Sequence, residues 1–163
     1  MSSTPQTSTC PTALFGFLDL LRDVDWPARP AGQDSSVDVD FASQVRDVGS
    51  ESVLIGQLRG DEEFSALGAR SRDEDYEIAF YVQIRWPGDT AREAAERAWQ
   101  LFGVIERLIA SDDYIALGSE FGVLWQEIRS ADGTPTREDD CGAGYVIESA
   151  LRVQSRIRPR GES

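Results

Sequence analysis

The chain has 163 residues, a formal net charge of −13 and no histidine. That length predicts one domain, and the acidity argues against a broad phosphate-binding face. The missing histidine removes the commonest general base and the commonest transition-metal ligand.

Residues 1–10 are rich in Ser and Thr and predict a disordered leader. A single domain is expected over 11–158, followed by a polar tail at 159–163. Pro11 opens a helical pattern, with Thr9 as its cap candidate. Leu14, Phe15, Leu18 and Leu21 form its apolar side, with Phe17 as a further candidate, against Asp19, Arg22 and Asp23. Trp26-Pro27 and Pro30-Ala31-Gly32 end it. Val37, Val39 and Phe41 alternate with Asp38 and Asp40, which predicts a short edge strand protected by charge. Residues 52–59, with Val53, Leu54, Ile55 and Leu58, predict a second strand in which Gly56 marks a bulge or a close backbone approach. The charged stretch 60–75 reads as a long hairpin loop or arm.

The organising unit is 76–111. Tyr76, Ile78, Phe80, Val82, Ile84 and Trp86 alternate with Glu77, Ala79, Tyr81, Gln83 and Arg85, the period of a half-buried strand. Pro87-Gly88 stops it. Ala91, Ala94, Ala95, Ala98, Leu101, Phe102, Ile105, Leu108 and Ile109 then follow a helical stripe, with Thr90 and Glu93 as a capping box. Phe121, Val123 and Trp125 begin a strand to about Arg129, and Asp132-Gly133 signals a turn. An acidic loop is expected over 134–144. The last strand points Tyr145, Ile147, Leu151, Val153 and Ile157 one way, and Glu148, Arg152, Gln154, Arg156 and Arg158 the other. The fold class is α+β: a mainly antiparallel sheet with a long helix packed on one face and an N-terminal helix.

No nucleotide-binding glycine motif occurs, so no cofactor is expected. Carboxylates cluster at Asp61-Glu62-Glu63, Asp73-Glu74-Asp75, Asp112-Asp113 and Glu138-Asp139-Asp140, none with the spacing of a calcium loop. They read first as solvated faces, with a metal site or acid/base catalysis as alternatives. Cys10 and Cys141 have no motif spacing and read as free thiols in a reducing compartment, with a disulfide between them as the alternative. No apolar run approaches the ~20 residues of a membrane span, and no membrane partner is expected. Trp86 and Trp125 lie in phase with their strands' apolar faces. Trp99 lies off the main helical stripe, either as a partner contact or as a flank of the core. Arg152, Arg156 and Arg158 alternate on the last strand and could pair with an acidic neighbouring subunit.

The segment DYEIAFYVQIRWPGDTAREAAERAWQLFGVIERLIASD resembles the strand, turn and helix of tail terminator proteins of siphovirus-type, long-tailed bacteriophages. GYVIESALRVQSRI is similar to their last strand, and the leading helix with VDVDFAS and SESVLIGQL fits their usual start. The resemblance runs in order from about Pro11 to Arg158. It implies a non-enzymatic, cofactor-free homo-oligomer, typically a hexameric ring, at the head–tail junction of a virion assembled in the host cytoplasm. Such a ring caps the tail tube, stops the tube protein from adding, and gives the head connector a docking surface while DNA passes through its centre. By that analogy Glu138, Asp139 and Asp140 would face the lumen, or else the outer rim. Trp99, Arg152, Arg156 and Arg158 are the interface candidates. Another connector component, such as a head-closure or tail-completion protein, and a small carboxylate-based hydrolase or metal-binding domain stay open as alternatives.

Overall fold

The computed structural model describes residues 10–29, 36–42, 50–63, 72–86, 91–111, 123–138 and 142–157. Among the described residues two helices, α1 (Cys10–Arg22) and α2 (Ala91–Ala110), lie with five strands: β1 (Asp38–Phe41), β2 (Glu51–Glu63), β3 (Arg72–Trp86), β4 (Val123–Glu138) and β5 (Gly142–Ile157). The strands form one sheet in the order β1-β2-β3-β5-β4. Every pairing is antiparallel except β1 with β2. This is the expected α+β class.

The period of two in β3 explains the core. Tyr76, Ile78, Phe80, Val82 and Ile84 are all buried on one face, while Glu77, Ala79, Tyr81, Gln83 and Arg85 are half-buried on the other. Ile147, Leu151 and Val153 of β5 continue the apolar face. Both helices pack there, and three aromatic rings join them: Phe17 of α1 meets Phe80 edge-on at 5.5 Å, and Phe80 stacks on Phe102 of α2 at 6.2 Å. Removing that much apolar surface from water is the main stabilising term.

The α2 stripe holds at Ala94, Ala98, Leu101, Phe102, Ile105 and Ile109, whereas Ala91 is exposed. In α1 the buried row is Ala13, Phe17, Leu18 and Leu21. Phe17 is therefore core, and Phe15 is half-exposed instead, edge-on to Phe41 at 5.8 Å. The i, i+4, i+8 row of 13, 17 and 21 turns Phe15 away from the sheet.

Three boundaries differ from the sequence reading. Both ends of the stretch 60–75 are ladder: Gly60 pairs with Tyr76 and Glu63 with Asp73, so β2 and β3 extend into it through 60–63 and 72–75. Asp132-Gly133 is not a turn, because β4 runs straight through it, with Asp132 opposite Glu148 and Gly133 opposite Ile147. The acidic loop over 134–144 shortens accordingly, since 134–138 and 142–144 are strand. A partner strand of sixteen residues satisfies the extra backbone groups of β4, which outweighs a local turn preference. Gly56 has both proposed roles. The β2–β3 register shifts between Ile55 and Leu58, and a Cβ added at Gly56 would lie 2.8 Å from Tyr81 Cε2. The capping box at Thr90, the cap at Thr9 and the side chains of Trp86 and Trp125 lie outside the described residues.

Candidate assembly surfaces

Charge is organised in two places. The first is buried between β2, α2 and the segment after α1. Glu51, at the start of β2, is almost fully buried, and Arg97 Nε donates to its Oε2 at 2.8 Å. Arg29 Nε lies 2.9 Å from Glu51 Oε1, close enough for an ion pair but off hydrogen-bonding alignment. Arg97 also donates to the carbonyls of Pro27 (2.6 Å) and Ala28 (3.4 Å) and to Gln100 Oε1 (2.8 Å). Arg29 reaches Ser50 Oγ at 3.2 Å. One carboxylate thus faces two guanidiniums; carbonyl oxygens also accept from Arg97, and the Ser50 hydroxyl accepts from Arg29. A buried charge survives only when so compensated. The cluster fixes the chain after α1 against the start of α2. Sequence reasoning missed it because Arg97 falls within the polar half of each helical turn by type, though it sits beside Ala94 and Ala98 by position.

The second lies on the helix-free face of the sheet. Across the row Glu77, Arg152, Glu127 the strands β3, β5 and β4 place opposite charges in register. Arg152 grips Asp75 with two parallel donors, Nε to Oδ1 at 2.9 Å and a terminal nitrogen to Oδ2 at 2.5 Å, the fork geometry that favours arginine over lysine. Arg129 pairs with Glu77. The guanidinium of Arg152 donating to Asp75 holds that carboxyl below the usual carboxylate range against the opposing effect of burial, and Arg152 itself is raised by the same bond. On the other side of β3, the ladder with β2 sets Asp61 opposite Asp75, Glu62 opposite Glu74 and Glu63 opposite Asp73. On the β5 side, Arg156 lies opposite Asp73. At least for Arg152, then, an acidic neighbour is already present within the same chain.

Trp99 is 41% exposed on the flank of α2. Its ring meets Phe102 edge-on at 5.5 Å, and its Nε1 donates to the Tyr145 hydroxyl at 3.3 Å. Tyr145 in turn overlies Gly133, where an added Cβ would lie 2.8 Å from the ring carbon Cζ. Pro135, opposite Tyr145, is exposed on the same face. Trp99 therefore belongs both to the core's margin and to the surface. Gly133 has a packing role that its Asp-Gly context hid.

Of the other candidates, Glu138 is the last residue of β4, opposite Gly142, while Asp139, Asp140 and Arg158 lie outside the described residues. Cys10 is half-buried at the start of α1, and Cys141 lies outside the described residues. Among the described residues no three His, Cys, Asp or Glu side chains gather as a metal site, and no helix is long and apolar enough to cross a membrane.

No protein-family model and no curated protein sequence matches this chain. Among solved structures it is similar to a chain from the virion of a native gene transfer agent particle. The TM-score is 0.50 at 11% identity, over 74% of this chain and 78% of that one. At that identity the likeness is one of fold.

Proposed function

We propose that this chain is a structural subunit of a phage-like virion and, within that class, a tail terminator. In this reading it forms a homo-oligomeric ring, hexameric by analogy, at the head–tail junction. The ring ends tube polymerisation on one side and docks the head connector on the other. Its activity is closure and complementarity, with no reaction and no cofactor. The observation that supports it most is the fold shared with a virion chain over roughly three quarters of both proteins, beside the resemblance of 75–112 to tail terminators. The net charge of −13 suits a ring through which DNA slides without binding. In that ring Glu138, Asp139 and Asp140 face the lumen, and Trp99, Arg152, Arg156 and Arg158 lie at or near subunit contacts.

Deleting the gene from a phage that encodes it tests the reading. Tails of uncontrolled length that fail to join heads are expected. Normal-length tails on particles that cannot retain DNA would point instead to a head-closure or tail-completion protein. Normal infectious particles would refute a junction role.

A further inference from the structure

The described residues include two exposed large apolar side chains, Phe15 and Trp99, and they lie on opposite flanks of the helix layer. Phe15 stands where α1 meets the β1 edge, its ring edge-on to Phe41. Trp99 stands where α2 meets β5 and β4, at the other end of the strand order. We propose that the Trp99 flank receives the Phe15 corner of a second copy of this chain, in a head-to-tail contact. The proposal rests on the ring reading above and names the surfaces that would close it.

The two patches differ, as a head-to-tail contact requires; a two-fold dimer would bring together two copies of one patch. On one side is a knob, a single protruding phenyl ring. On the other is a shelf: the Trp99 indole is pinned by its hydrogen bond to Tyr145, and Tyr145 lies over the side-chain-free Gly133 beside Pro135. A phenyl ring brought to such a shelf can take the edge-to-face geometry that aromatic pairs prefer. The indole is already held by Tyr145 and Phe102, so less side-chain entropy is lost on contact.

The flank is large enough. β4 has sixteen residues; at ~3.3 Å each its edge is roughly 50 Å long, and sheet plus helix layer are about 20 Å deep. That offers on the order of 1,000 Å², against the ~800 Å² each partner contributes to a standard stable interface. Each patch is also bordered by an ion pair that cancels its own charge, Arg92 with Glu96 at 3.0 Å and Arg22 with Asp40 at 3.5 Å. These are places where two copies of a strongly acidic chain can approach with less repulsion.

The test is mass measurement in solution on Phe15→Ser, Trp99→Ser and Pro135→Glu, each verified as folded by circular dichroism. Pro135→Glu marks the shelf without touching the core. Each variant alone is expected to lose the wild-type oligomer. Mixing Phe15→Ser with Trp99→Ser should then yield a one-to-one dimer and nothing larger, because only one knob and one shelf survive between them. If Phe15→Ser still dimerises alone while Trp99→Ser does not, the contact is shelf to shelf and the proposal is wrong. If both variants and Pro135→Glu assemble like the wild type, this contact is refuted while the ring reading survives. A wild-type chain that is monomeric both alone and on tail tubes overturns both.

Discussion

The two charge clusters use the same chemistry under different physical conditions. Glu51 with Arg97 and Arg29 is walled in, and Asp75 with Arg152 is about one-third open to solvent. In water the attraction between opposite charges nearly cancels against hydration, so an exposed pair contributes little. Inside the fold hydration is gone, and each member of the cluster needs the others. The buried cluster is therefore a structural joint. The open one has a narrower task, tying β5 to β3 across the helix-free face without drawing on the core.

The largest expected effect follows at once. Glu51→Gln leaves two guanidiniums inside with no anion, and should cost about 3–5 kcal/mol of stability, the range for breaking a buried ion pair. Urea denaturation measures it, and a loss below that of an ordinary surface substitution would show that the cluster is not sealed from water. A double-mutant cycle sharpens the point. Glu51→Leu with Arg97→Met should cost less than the two single changes added together, with a coupling of about 0.5–3 kcal/mol. The double variant should not reach wild-type stability, because the Pro27 and Ala28 carbonyls lose their donor and Arg29 keeps its charge.

A smaller effect probes the helix-free face where it is packed by shape. Gly56→Ala puts a methyl 2.8 Å from Cε2 of the half-buried Tyr81 ring, which must swing away; on this open face the cost should stay at the low end of overpacking, about 1 kcal/mol. If Gly56→Ala is neutral, the β2 bulge tolerates displacement and Gly56 is there for register alone.

How far the sequence reveals these features depends on their range. The β3 alternation and the α2 stripe are local periods, and a period of two or 3.6 declares its own buried face, so β3, α2 and the inward set of β5 are all readable. The course of β4 through Asp132-Gly133 is not. A turn signal is a statement about four residues, and the ladder that overrides it is supplied by Ile147 and Glu148, more than a dozen positions later. The buried Arg97 is hidden for the same reason. Its polar type agrees with the exposed side of a helix until Glu51, 46 positions earlier, is placed beside it. The arginines of β5 were legible as a row, but their partners on β3 depend on strand order, which no local pattern encodes.

The smallest expected effect belongs to Asp75, and its sign can be worked out. Arg152 lowers the Asp75 carboxyl pKa in the folded chain, while in the unfolded chain it returns to about 3.9. A carboxylate with a depressed folded pKa adds stability that is fully present above the unfolded value and lost as pH falls through the folded one. Asp75→Asn should therefore lower the melting temperature slightly at pH 7. The gap from wild type should narrow below about pH 4 and close at still lower pH, because there the wild-type carboxyl is protonated too. Added salt should shrink the same gap at neutral pH, since the pair is open to screening. The comparison of clusters adds a control: Glu51→Gln is walled off from ions, so its deficit at pH 7 should hardly respond to salt. A gap for Asp75→Asn that stays constant from pH 7 to pH 3 would mean that Arg152 positions the strand through shape and not through charge.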